Sequence, residues 1–205
     1  MLKMENQIVC HNPHKNFNNR DWSNEEVIRF ISIDPGKINF AIRIEVRYRK
    51  DKFPPKMEIF IKKNFFNKND NNDNNELYSR ITDFLDTFIP FYEKTHFVLI
   101  ERQFKKNYTM IRISQHIISY FLFKLKDLPL FPSILEIDSK FKYTFFNSSS
   151  SKKKGMKYAG VEKALELLKN NKDDDSLSII SNSKKKDDLA DTVIQIEAMC
   201  KCFEI

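Results

Sequence analysis

Apolar and polar positions alternate in the first third of the chain. Phe40, Ile42, Ile44, Val46 and Tyr48 interleave with Arg43, Glu45, Arg47 and Arg49. A period of two over this length predicts a strand with one face on a core and one face in water. Before it, 27–33 is an apolar run that closes on Asp34-Pro35-Gly36. After it, 57–66 reads as a third strand, reached through a turn at 52–56 that contains Pro54 and Pro55. The period then changes. Leu77, Ile81, Phe84, Leu85, Phe88 and Tyr92 fall at helical spacing and predict a helix over 76–92, with Pro90 marking its end. The run 96–101 is continuously apolar, as expected of a central strand covered on both faces. A long apolar helix over 108–126, a short strand over 133–137, a short amphipathic helix over 157–169 and a closing helix over 189–202 complete the pattern. This order predicts an α/β domain whose five-stranded mixed sheet is flanked by helices.

Four stretches lack such periodicity. Residues 1–24 read as a polar extension, 67–75 as an exposed Asn-rich loop, 148–155 as a mobile Ser and Lys loop, and 172–186 as a charged insertion. The remainder, 25–205, is of a size for one domain with a substantial core. The core is rich in Phe, at 19 residues, while Gly is scarce at 3. No internal repeat is present.

A formal charge of +7 adds a partner to this picture. Basic excess favours a polyanion, either nucleic acid or an anionic membrane surface, although a basic protein with no such partner carries the same charge. No apolar run approaches the roughly 18 residues of a membrane helix, so no membrane partner is expected. Cys10, Cys200 and Cys202 form no C-x-x-C pair, and with His11, His14, His96 and His116 they make no zinc spacing. An intracellular, reducing compartment is the expected location. The N-terminal stretch lacks a secretory apolar core, and its basic character leaves an organellar presequence open. A viral cytoplasmic replication site, a nucleus and a mitochondrion are not distinguished.

The candidate chemistry lies in acids at the ends of apolar elements. Asp34 ends the first strand, although Asp is a poor strand former. Glu101 ends the central strand, and Asp187, Asp188 and Asp191 open the closing helix. Asp188 and Asp191, three apart, share a helix face beside Leu189, Val193 and Ile194. Buried carboxylates are costly unless compensated. A divalent cation would neutralise them, and an all-oxygen set suits Mg²⁺ or Mn²⁺. Each acid also has a plainer reading: Asp34 in a turn, Glu101 paired with Arg102, Asp187 and Asp188 as helix caps. Asp187 lies about a hundred degrees off the shared face and is given a supporting role only.

Three runs carry a resemblance: Ser32-Ile33-Asp34-Pro35-Gly36-Lys37-Ile38-Asn39, Leu99-Ile100-Glu101-Arg102-Gln103, and Lys185-Lys186-Asp187-Asp188-Leu189-Ala190-Asp191. In this order they resemble Holliday junction resolvases of the RuvC type, within the ribonuclease H-like superfamily, and are most like the fungal mitochondrial and poxvirus branches. The resemblance implies a ribonuclease H-like fold and a homodimer that cuts four-way DNA junctions by metal-dependent hydrolysis. It implies that Asp34, Glu101, Asp188 and Asp191 are the catalytic acids and bind two Mg²⁺ ions, with Mn²⁺ able to substitute. Phe104, three residues beyond Glu101, matches a stacking aromatic, while as one of many Phe it also fits a core position. Among basic residues implied to contact DNA, Lys157 matches best, with Lys153 and Lys154 as rivals; a merely solvated tract is the plainer reading. The extension, the Asn-rich loop and the 172–186 insertion have no counterpart in that pattern. A nuclease of the same superfamily acting on flaps or RNA-containing substrates is the alternative enzyme. A junction-binding protein with structural acids is the non-enzymatic one.

Overall fold

The computed structural model describes residues 7–12, 25–49, 53–66, 74–128, 132–145 and 155–205. Among these, the order is β1 (Ile8–Cys10), β2 (Val27–Asp34), β3 (Phe40–Tyr48), β4 (Lys56–Lys63), α1 (Asn74–Asp86), α2 (Ile89–Tyr92), β5 (Phe97–Glu101), α3 (Tyr108–Leu125), β6 (Ser133–Ile137), α4 (Phe141–Thr144), α5 (Gly155–Asn170), α6 (Asp174–Asn182) and α7 (Asp187–Phe203). The strands form one sheet in the order β1-β6-β5-β2-β3-β4. β2, β5 and β6 run parallel as the central strands, while β3, β4 and β1 add antiparallel edges. The predicted mixed α/β sheet is present. It has six strands rather than five, because Ile8–Cys10 pairs with Leu135–Ile137 from within the stretch read as a polar extension.

Alternation along the strands sorts side chains to two faces. Ile31, Ile33, Val98 and Ile100 pack on one face against Leu77, Ile81 and Leu85 of α1 and Ile113, Ile117 and Phe121 of α3. Phe30, Phe97 and Leu99 face the other way, against Ile196 and Met199 of α7 and Phe141 of α4. Further along that second face, Leu168 of α5, Ile180 of α6 and Val193 of α7 close over Ala41 and Phe60. The result is three layers, with the sheet between two sets of helices. No described helix is long and apolar enough to cross a membrane.

Three local expectations are corrected. The polar face of β3 is not wet. Arg43 and Glu45 are each only 1% exposed, because α6 and α7 cover them. Their charges are paired instead: the Arg43 guanidinium donates to Glu45, Ser176 Oγ and Asp173, at 2.5, 2.8 and 2.8 Å. Arg47 bridges Glu45 and Glu197. Burial alone would raise the Glu45 carboxyl, but Arg43 and Arg47 outweigh it and hold Glu45 below its ordinary range. The second correction is the 172–186 insertion, which folds as α6. Asp173 caps it by accepting from Ser176 N, and Ser176 and Ile180 are buried beneath it. Third, the helix over 76–92 breaks into α1 and α2, with Pro90 in the first turn of the second piece. A proline there gives up only an amide that a helix start leaves unpaired.

Arg43→Ala should cost about 3–5 kcal/mol of stability, because it strands Glu45 and Asp173 in a buried setting. Chemical denaturation of the variant measures this; a loss below about 1 kcal/mol would place the network among exposed ion pairs in energetic weight.

Candidate active site

The acids meet because two strands and one helix end at the same edge of the sheet. β2 and β5 are parallel neighbours with Ile33 opposite Ile100, so the next residues, Asp34 and Glu101, lie side by side. Alternation puts both on the face covered by α7, with Phe30, Ser32, Phe97 and Leu99. The helix is registered on β2 by a buried hydrogen bond of 2.6 Å between Ser32 Oγ and Gln195 Oε1. Two strand residues beyond Ser32 advance about 6.6 Å, and four helical residues back from Gln195 retreat about 6 Å. Those steps end on Asp34 and Asp191. Asp34, Glu101 and Asp191 each offer a carboxylate oxygen within 4.8 Å of the others. The turn after Asp34 is tight: a Cβ on Gly36 would lie 2.5 Å from the Asn39 carbonyl oxygen, so only glycine fits.

The fourth predicted acid, Asp188, is one turn earlier on α7 and stands outside that trio. It is buried, its Oδ1 accepts from Lys185 Nζ at 2.9 Å, and its Oδ2 is buried without a partner. A further residue went unread in the sequence. Lys142, carried on α4 just beyond the end of β6, is only 2% exposed, with its ammonium 3.0 Å from both Glu101 Oε2 and Asp191 Oδ2. In the sequence it is a single lysine inside Phe141-Lys142-Tyr143-Thr144-Phe145, and the structure sets it next to a third parallel strand that ends at the same sheet edge.

Phe104 lies in the loop between β5 and α3 and is 76% exposed, which excludes its core reading. Arg102 ties that loop down: its amide donates to Ile137 O at 2.8 Å, and its guanidinium lies 3.7 Å from both Glu136 and Asp138. Tyr108, at the start of α3, is equally exposed. Lys153 and Lys154 lie outside the described residues. Lys157 is in α5, and its side chain likewise lies outside them.

The electrostatics are those of a cation site. Burial, and then the Glu101 charge, push the Asp34 carboxyl well above the ordinary carboxylate range. Burial raises Asp191, opposed by Lys142, and raises Asp188, opposed by the bond from Lys185. Burial acts to lower the Lys142 ammonium, but Glu101, Asp191 and Asp34 outweigh it, so Lys142 stays charged. Among the described residues, Lys142 pairs with Glu101 and Asp191 and Lys185 with Asp188, so the acids outnumber the ammonium groups that hold them. The orphaned Oδ2 of Asp188 and an all-oxygen donor set fit a hard ion such as Mg²⁺ or Mn²⁺.

The fold is a ribonuclease H-like α/β fold, with an acidic cluster at the ends of its central strands. Comparison with solved structures gives the same fold. The yeast mitochondrial Holliday junction resolvase Ydc2 superposes with a TM-score of 0.56 at 16% identity, over 86% of each chain. Thermus thermophilus RuvC in complex with a Holliday junction gives 0.56 at 10% identity, over 86% of this chain and 95% of that one. Fowlpox virus resolvase bound to Holliday junction DNA gives 0.50 at 16%, over 84% and 99%. Among curated sequences, uncharacterized protein 170L of invertebrate iridescent virus 6 is 29% identical over 135 residues. That match spans 56% of this chain and about half, 54%, of the relative. No family model matches the chain.

A buried carboxylate held above its ordinary pKa destabilises the metal-free fold at neutral pH. Asp34→Asn should therefore raise the melting temperature of the metal-free protein at pH 7. The gain should vanish as pH falls to the ordinary carboxylate range, where Asp34 is protonated folded and unfolded alike. Thermal melts in chelator at both pH values check this; a lower melting temperature at pH 7 contradicts it.

Proposed function

We propose that this chain is a divalent-metal-dependent Holliday junction resolvase, acting as a homodimer on four-way DNA junctions. The observation that carries the reading is the convergence of Asp34, Glu101 and Asp191 within 4.8 Å, in a fold shared with three resolvases of known structure. No observation favours a flap or RNA nuclease, or a non-catalytic binder.

In this reading Asp34, Glu101, Asp191 and Asp188 hold two Mg²⁺ ions, with Mn²⁺ able to replace them. Bound there, such ions would supply the activation of water for hydrolysis of a phosphodiester and the stabilisation of its leaving oxygen. The acids fix where that chemistry occurs, because three of them stand on a rigid sheet edge and a buried helix. Lys142 holds Glu101 and Asp191 in place, and its fixed positive charge favours a phosphate whose negative charge grows during attack. Phe104, exposed on a loop anchored by Arg102, is free to stack on a base that is unstacked at the branch point. Lys153, Lys154 and Lys157 supply phosphate contacts, which add affinity without sequence information. Two-fold pairing of the chain presents two such sites, as paired cuts require.

The direct test is Mg²⁺-dependent cleavage of a synthetic four-way junction against linear duplex and RNA–DNA hybrid. Junction-selective cutting is expected; preference for the hybrid overturns the assignment. Asp34→Asn, Glu101→Gln, Asp188→Asn and Asp191→Asn should each abolish cutting and leave junction binding largely intact. Near-normal cleavage by one of them removes that residue from the centre.

Phe104→Ala should weaken the junction contact by about 1–3 kcal/mol while linear duplex binding barely changes. Because the ring is exposed, its melting temperature should match wild type. Junction affinity and a thermal melt on the same variant decide the matter, and an unchanged junction affinity sinks the stacking role.

A further inference from the structure

Among the described residues two lysines pair with these acids, and they differ in freedom. Lys142 is 2% exposed and held by two carboxylates on α4, which Phe141 anchors in the core. It has no route out. Lys185 is 43% exposed, and its ammonium donates to Asp188 Oδ1 at 2.9 Å. Its backbone, by contrast, is pinned. The Lys185 carbonyl accepts from Lys62 Nζ and from Ser183 Oγ, each at 2.8 Å, and Lys62 Nζ also lies 2.5 Å from Ser183 Oγ. Strand β4 thus fixes the segment that leads into α7, while the Lys185 side chain stays partly exposed.

The acid that Lys185 holds is the one outside the close trio. Asp188 Oδ1 is occupied by the ammonium, and Oδ2 is buried without a partner. With Oδ1 so held, Asp188 offers a metal only Oδ2, and both oxygens become available when that ammonium is elsewhere. The natural competitor for a half-exposed lysine beside a nuclease centre is a DNA phosphate.

We propose that Lys185 is an electrostatic latch: it neutralises Asp188 while the protein is free of DNA, and transfer of its ammonium to a backbone phosphate releases Asp188 to complete the metal site. The inference rests on the resolvase reading for the presence of metal and DNA. It adds that metal loading and DNA binding are coupled through one side chain. Lys62 and Ser183 act as positioning residues by keeping the Lys185 backbone in reach of both Asp188 and the phosphate. The coupling is reciprocal, as linkage requires.

The test titrates Mn²⁺ into the DNA-free protein by calorimetry and compares wild type with Lys185→Gln, Lys185→Arg and Lys184→Gln. Lys184 is exposed and one residue away, so its variant measures the effect of removing a nearby charge without removing the latch. Lys185→Gln should bind Mn²⁺ roughly 5- to 150-fold more tightly, the range of ordinary site-to-site coupling, while Lys184→Gln changes little and Lys185→Arg follows wild type. Junction binding in chelator supplies the second arm. The slope of log affinity against log salt should fall by about one phosphate contact in Lys185→Gln. Equal Mn²⁺ gains in Lys185→Gln and Lys184→Gln overturn the latch, since a general field then explains both. An unchanged salt slope overturns the transfer to phosphate. Absence of Mn²⁺ binding by every chain, wild type included, removes the metal centre and the resolvase reading beneath it, an outcome distinct from failure of the latch alone.

Discussion

The hydrogen bond between Ser32 and Gln195 sets the register on which the acidic centre depends. It joins two fully buried polar groups, one on the central strand and one in the middle of the closing helix, so sliding α7 by one turn would leave both unpaired. Leaving such groups unpaired costs about 1–3 kcal/mol apiece. Apolar packing between α7 and the sheet cannot do this alone, because Ile, Val and Met contacts tolerate small shifts. A polar pair does not. Once the register is set, the equal step lengths of strand and helix carry Asp34 and Asp191 to the same height, and the parallel pairing of β2 with β5 brings Glu101 alongside. A site assembled from residues far apart in sequence is thereby reduced to one strand pairing and one helix register.

Much of this was legible in the chain. Asp34 and Glu101 each break an apolar run at its end, and Asp188 and Asp191 share a helix face by spacing; of these the structure brings Asp34, Glu101 and Asp191 together. What escaped were features that depend on tertiary cover. Arg43, Glu45 and Arg47 read as a wet face because alternation reports polarity and not what lies above it. Here α6 and α7 lie above, and the charges meet one another. Ile8–Cys10 is too short for a period to show, and becomes a strand only because β6 offers a free edge. Lys142 had no periodic signature at all. A lysine in an aromatic run is locally indistinguishable from a surface residue between core contacts; its meaning comes from Glu101 and Asp191, which are distant in sequence. Phe104 shows the converse: its residue type suited core and surface equally, and only its place on the loop after β5 separates them.

The two buried ionic clusters show how the fold treats charge differently according to use. Around Arg43, each guanidinium and carboxylate is matched, and burial is balanced by partners on β3, α6 and α7. That cluster fixes the helices to the sheet and leaves no demand unmet. Around Asp34 the matching is incomplete. Four carboxylates share Lys142 and Lys185, one oxygen of Asp188 stays bare, and burial holds Asp34 toward its protonated form. A chain selected for stability alone would have no reason to keep such an arrangement, since a neutral residue at Asp34 removes the repulsion at no loss of packing. The imbalance is intelligible if a ligand completes it. The missing charge is positive, and the donors are all oxygen. The satisfied cluster of Arg43 leaves no such demand, and this difference in charge matching separates the two clusters.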